Sequence, residues 1–201
     1  MVMKNTYKYI ILGLVCLTAA LIQGGIFQIN QIITMFIPYL AFCICSFITV
    51  KNKNKLFSIS MILLSNLVVL PVFNFIYSFI TALIVPEVPY VFVGIVIEFV
   101  HKCIYFTIFI LVNSLINKEK NIIGKGTYIL IALFILISAV FASIQGILLA
   151  NALYQAIQQG TLLDYLSAMN TGVYAHLISS ISFYFALFFI SMQFVKNTQD
   201  A

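Results

Sequence analysis

Long apolar runs alternate with short polar breaks along the whole chain. Each run is roughly 20 residues long, which is the length that an α-helix needs to cross the hydrocarbon core of a bilayer. The runs predict six membrane-spanning helices, at 9–29, 32–50, 56–77, 90–116, 127–150 and 173–195. We therefore expect an all-α, polytopic membrane protein that forms a single six-transmembrane-helix bundle.

Two stretches leave the element boundaries open. The third run stays apolar as far as Val85, which is too long for one untilted crossing. Either Pro71 kinks a long helix, or the helix ends near Tyr77 and the remainder lies along the outer surface. Residues 151–172 are more polar than the flanking runs, and they predict a long ordered loop with helical pieces.

The composition excludes a soluble domain. Of the 201 residues, 63% are hydrophobic and 7% are charged, and the mean hydropathy is +1.14. A soluble domain carries charge on about a quarter of its residues. The chain is therefore expected to have lipid as its solvent, and its length leaves no room for a separate soluble domain.

The charges predict the topology. The net charge is +5, and Lys supplies all of the positive charge. In the six-span arrangement one side of the membrane carries Lys4, Lys8, Lys51, Lys53, Lys55, Lys118, Lys120, Lys125 and Lys196. The other side carries Glu87 and Asp164. By the positive-inside rule both termini are cytoplasmic. Since topology explains the Lys residues, we expect no nucleic-acid partner.

The fourth span contains the most informative polar residues. Glu98 lies about 12 Å below the outer end of this span at helical rise. Gly94, Glu98, His101 and Tyr105 share one helix face, and Lys102 lies at its edge. Charged side chains within the bilayer are expensive and usually face a cavity or a partner. We interpret this face as a ligand site; the alternative is a Glu98–Lys102 pair that only neutralises itself.

Further polar candidates lie near the outer mouth, where a ligand from outside would arrive. Gly146 is near the end of the fifth span, and Tyr165, Asn170 and His176 are near the start of the sixth. An ordinary structural role also fits, because Tyr is common at membrane interfaces and Asn-Thr-Gly can end a loop or cap a helix.

A stripe of small residues follows one side of the first span: Gly13, Cys16, Ala20 and Gly24. Such stripes let helices approach closely in lipid. The partner is either another helix of the same bundle or a different protein.

The catalytic and metal-binding motifs that we sought are missing. The sequence contains no HExxH, no Walker A, no GxSxG and no CxxC pair. We therefore expect a protein that is not an enzyme and has no cofactor or metal. Active transport would need ATP hydrolysis by a partner.

The outer halves of spans four to six resemble the substrate-binding (S) subunits of energy-coupling-factor (ECF) vitamin transporters, most closely the thiamine-type branch. The Glu98-Phe99 pair resembles a ligand-contacting acid followed by an aromatic residue in that branch. The segment 144–147, Ile-Gln-Gly-Ile, looks like its fifth-span glycine turn, and Tyr165 with Asn170 is similar to a Tyr and an Asn at the start of its sixth span. Where that branch has a His before the glycine, this chain has Ala142.

The resemblance implies a subunit of a bacterial ABC-type importer in the cell membrane. Such a subunit captures a small water-soluble vitamin from outside and has as partners a transmembrane coupling protein and two ATPases. Glu98, His101, Tyr165 and Asn170 would line the pocket, and the small-residue stripe would dock on the coupling protein. His101 and Lys102 favour a ligand with an anionic or acceptor group.

Two other classes remain open. Six-span peptide-pheromone sensors have a similar size and orientation, but they continue into a cytoplasmic kinase, and this sequence contains no such region. A membrane-embedded immunity or maturation protein is the third class.

Overall fold

In the computed structural model, six α-helices form a bundle. The structure describes residues 3–25, 31–50, 55–84, 90–117, 124–159 and 162–197. The helices are α1 (Met3–Gln23), α2 (Gln31–Thr49), α3 (Lys55–Ile84), α4 (Tyr90–Asn117), α5 (Lys125–Gln159) and α6 (Leu162–Asn197). No strand occurs in these ranges, so the all-α prediction is confirmed.

Within the described residues, five helices are long and apolar enough to cross a membrane. These stretches are Thr6–Gln23, Lys55–Phe73, Val93–Asn117, Gly126–Leu148 and Gly172–Lys196. The apolar part of α2, Phe36–Thr49, is shorter. The chain is therefore a multi-pass membrane protein, as the run lengths predict.

Three helices, α3, α5 and α6, are several residues longer than the predicted spans. α5 continues to Gln159 and α6 begins at Leu162, where a long loop over 151–172 was expected. The extension of α5 is rich in Ala, Leu and Gln and has neither Pro nor Gly before residue 160, so helix propensity favours its continuation. α3 likewise runs through Pro71 to Ile84.

The core is centred on α6 and on an aromatic cluster beside it. The Phe42 ring of α2 lies 5.4 Å from Phe109 and 5.5 Å from Phe106, both on α4, and 5.9 Å from Phe183 on α6, measured between ring centroids. Tyr184, next to Phe183, is only 1% exposed. These contacts hold α2, α4 and α6 together around one apolar centre.

A hydrogen-bonded network ties α2, α3 and α4 together. The Ser46 Oγ donates to Asn113 Oδ1 at 2.9 Å and is also hydrogen-bonded to the Ser58 hydroxyl. Thr49 Oγ1 lies 3.2 Å from the same Asn113 oxygen, and the Asn113 amide donates to the Phe109 carbonyl at 2.8 Å. Such interhelical bonds stabilise helix association in lipid.

The small-residue stripe packs inside the bundle. Cys16 and Ala20 are 4% and 2% exposed, and Gly24 is buried. A Cβ added at Gly24 would lie 2.5 Å from Leu177 Cδ1 on α6. The close approach that the stripe predicts is therefore made to a helix of this chain. An apolar cavity also lies between the stripe and α6, and Gly13, Cys16 and Ala20 are among its lining residues.

Candidate functional site

A polar cavity of about 300 Å³ lies between five of the six helices. We call it the polar cavity and define it by its lining residues. They are Gln23 of α1, Pro38 of α2, Glu98, His101, Lys102 and Tyr105 of α4, Ser138, Ala142 and Gln145 of α5, and His176, Ser179, Ser180 and Phe183 of α6.

The α4 wall of the cavity carries an ion pair. Lys102 Nζ lies 2.6 Å from Glu98 Oε2, across one helical turn. The Lys102 side chain is 12% exposed, whereas that of Glu98 is 39% exposed. The ammonium group is thus enclosed in the bundle, and the carboxylate is the more accessible partner.

His101 is held on the same wall by aromatic rings on both sides. Its ring centroid lies 5.6 Å from that of Phe73 on α3 and 5.4 Å from that of Tyr105. Its Nε2 atom is buried and has no hydrogen-bond partner among the described residues. An unpaired buried polar atom costs about 1–3 kcal/mol, so a ligand or water that bonded to Nε2 would be stabilised there.

The end of α1 brings an amide to the cavity. The Tyr184 hydroxyl donates to Gln23 Oε1 at 2.6 Å. α1 ends at Gln23; the Gly24 N–H bonds to the Ala20 carbonyl at 2.8 Å, and Gly25 has a φ of 81°. Glycine is favoured in this left-handed conformation because it has no Cβ, and this explains why the helix stops here.

Two serines join α5 and α6 at the opposite wall. Ser138 Oγ donates to the Ser179 carbonyl at 2.8 Å, and Ser179 Oγ donates to the Ser138 carbonyl at 2.8 Å. The reciprocal bonds fix the separation of the two helices beside the cavity. Both hydroxyls are therefore hydrogen-bonded within the bundle.

The structure brings five of the predicted site residues together. Glu98, His101, Lys102 and Tyr105 line the cavity from α4, and His176 lines it from α6.

Gly146, Tyr165 and Asn170 are the other three predicted site residues. Gly146 is not among the lining residues: α5 runs through it without a turn, and a Cβ placed there would meet nothing within 4 Å. Its neighbour Gln145 lines the cavity instead. The side chains of Tyr165 and Asn170 lie outside the described part of the structure.

Sequence reasoning missed several lining residues. Gln23, Pro38, Ser138, Ser179 and Ser180 were not selected, although each interrupts an apolar run. Polar residues and proline inside such runs were the available signal. The serines were not selected because Ser is common in membrane helices, where it packs closely and hydrogen-bonds to neighbouring helices.

The arrangement suits reversible binding of a small polar molecule. Carboxylate, ammonium, imidazole, amide and hydroxyl groups converge on one space beside the aromatic rings of Tyr105 and Phe183. Among the described residues, no three His, Cys, Asp or Glu side chains are grouped so as to hold a metal ion. No protein-family model, curated protein or solved structure matches this chain.

Proposed function

We propose that this chain is the membrane-embedded substrate-binding subunit of an ECF-type importer, and that it captures a small water-soluble vitamin or related nutrient in the polar cavity. The observation that carries the proposal is the convergence of Glu98, Lys102 and both histidines on one cavity within membrane-spanning helices. Burying an ionisable group in a membrane-spanning helix costs free energy, so such groups usually belong to substrate or ion sites.

The size and position of the cavity support binding from outside. Its volume of about 300 Å³ is at the small end of the range for ligand pockets. Lys8 and Lys196 lie at the opposite ends of α1 and α6 from the cavity residues Gln23 and His176. With the positive-inside rule, the cavity faces the exterior of a bacterial cell membrane and both termini are cytoplasmic.

Import also requires partners. None of the motifs for ATP hydrolysis that we sought occurs in this sequence, so a transmembrane coupling protein and two ATPases would supply the energy. Because Gly24 packs against Leu177 of α6 and because Cys16 and Ala20 are buried within the bundle, we expect docking on such a protein to use a face other than the small-residue stripe.

Mass spectrometry of copurifying small molecules tests the binding function. The purified chain is denatured, and the released compounds are compared between the unaltered protein and two variants. Gln145→Ala removes an amide from the cavity, and Gln193→Ala removes one near the other end of α6. We expect one compound to be released by the unaltered protein and by Gln193→Ala, and to be depleted in Gln145→Ala. Equal amounts of it in both variants would place binding outside the cavity.

A further inference from the structure

The polar cavity contains one fixed charge of each sign. Among the described lining residues of the cavity, Glu98 and Lys102 are the two that carry a formal charge at pH 7. The other described polar groups of the lining are hydroxyls, amides and two imidazoles, none of which carries a formal charge in its neutral form. The formal charges of the described lining residues therefore sum to zero.

Lys102 cannot move its charge out of the cavity region. Its side chain is only 12% exposed, and its Nζ is paired with Glu98 at 2.6 Å. Glu98 is predicted to lie about 12 Å below the outer end of α4, and Lys102 lies one helical turn deeper, where a Lys side chain does not reach the interface easily. Its ammonium is thus a permanent part of the cavity wall.

A charged ligand would leave one charge unmatched. A cation that bound Glu98 would compete with Lys102 and give the occupied cavity a charge of +1. An anion that bound Lys102 would displace Glu98 and give −1. An uncompensated charge in a low-dielectric interior costs several kcal/mol even after relaxation. A ligand with no net charge avoids this cost, whether it is uncharged or has one group of each sign.

We propose that the polar cavity selects a solute of zero net charge, and that Lys102 sets this selectivity by neutralising Glu98. The inference rests on the binding function proposed above and names the class of its substrate. Lys102 acts as a counter-charge to the acid; changing either member of the pair should change the preferred charge of the ligand without moving the site.

Ligand binding to charge variants tests this directly. The probes are riboflavin, pyridoxine and nicotinamide (no net charge), thiamine and 1-methylnicotinamide (cations), and biotin, pantothenate and nicotinate (anions). Melting temperatures and titrations at pH 7.5 are measured for the unaltered chain, Lys102→Met, Glu98→Gln and the double variant. Lys196→Met, which removes an exposed Lys at the other end of α6, is the control.

We expect the unaltered chain and the control to be stabilised by a probe of zero net charge. In Lys102→Met the ratio of cation affinity to neutral-probe affinity should rise at least about tenfold, and in Glu98→Gln the corresponding ratio for anions should rise similarly. The double variant restores neutrality and should again prefer the uncharged probe. If a single variant fails to fold, the unaltered chain and the double variant decide the question.

Two results would contradict the inference, and only the second would also contradict the proposed binding function. If thiamine or an anionic probe binds the unaltered chain best, the charge selectivity is wrong while the binding function stands. If no probe stabilises the unaltered chain and no small molecule copurifies with it, the binding function falls and the inference falls with it.

Discussion

The Tyr184 hydroxyl donates a 2.6 Å hydrogen bond to Gln23 Oε1, and so links the buried centre of α6 to the last residue of α1. Tyr184 is 1% exposed and does not line the polar cavity, whereas Gln23 does. Tyr184 thus positions the Gln23 side chain without lining the cavity itself. Because α1 ends at Gln23, this bond also anchors the helix end beside the cavity.

Tyr184→Phe should weaken both stability and binding. The loss of a buried hydrogen bond lowers the free energy of unfolding by about 1 kcal/mol, and the cost rises if the Gln23 oxygen finds no other donor. Freed from Tyr184, the Gln23 amide becomes less ordered, so affinity for a cavity ligand should fall by about three- to tenfold. Melting curves and ligand titrations measure the two effects. Tyr174→Phe, at an exposed position on α6, is the control and should change neither.

Glu98→Gln distinguishes a ligand-contacting acid from a purely structural pair. If the carboxylate contacts the ligand, removal of a charge-assisted bond worth about 1.5–3 kcal/mol lowers affinity by roughly ten- to a hundredfold. If Glu98 only neutralises Lys102, the substitution leaves an enclosed ammonium unpaired, and the melting temperature falls.

The double substitution Glu98→Gln with Lys102→Met completes that test. It removes both charges, so it should restore any stability that the single change lost. A destabilised single variant that the double variant rescues, with ligand affinity constant throughout, would remove Glu98 from the binding site.

Gly13 on α1 and Gly24, which directly follows α1, should respond differently to substitution by Ala. At Gly24 the added Cβ meets Leu177 Cδ1 at 2.5 Å and the Ala20 carbonyl at 2.8 Å, so the Leu177 side chain and the backbone after α1 must shift. Overpacking of this kind costs about 1–3 kcal/mol. At Gly13 the nearest atom is 3.7 Å away, on Phe188, which is ordinary contact, and Gly13→Ala should be tolerated. The melting temperatures of Gly13→Ala and Gly24→Ala, measured in detergent, test this difference.

The double substitution Ala20→Leu with Gly24→Leu distinguishes packing of the stripe against α6 from docking of the stripe on another protein. The packing against α6 predicts that stability and ligand binding fall together. Loss of a copurifying coupling protein with ligand binding intact would instead support docking through the stripe, as the resemblance implies.

Thiol labelling tests the orientation that the Lys distribution predicts. Single cysteines replace Asn54, Asn121 or Gln159 in a background without the four native cysteines. An impermeant reagent added outside intact cells should label position 159 and spare positions 54 and 121. Labelling at 54 or 121 would contradict cytoplasmic loops, and permeabilised cells provide the control that each cysteine is reactive.

The sequence alone determined the fold class and the α4 side of the site. Apolar runs of membrane-spanning length can form only helices in lipid, since every backbone polar group must be satisfied within the segment. Helical periodicity then places Glu98, His101 and Tyr105 on one face, because residues three and four apart are neighbours on a helix. These relationships are local, and local geometry follows from residue spacing.

Only the tertiary structure decided which other helices complete the cavity. Ser138 and Ser179 are far apart in the chain, and nothing in the sequence pairs them; the packing of α5 on α6 does so. The role of the small-residue stripe was also undecided, because a small-residue face predicts close approach without specifying the partner. The contact of Gly24 with Leu177 shows that at this position the close approach is made to α6: lipid is as apolar as the helix surfaces, so shape complementarity favours one helix pairing over another.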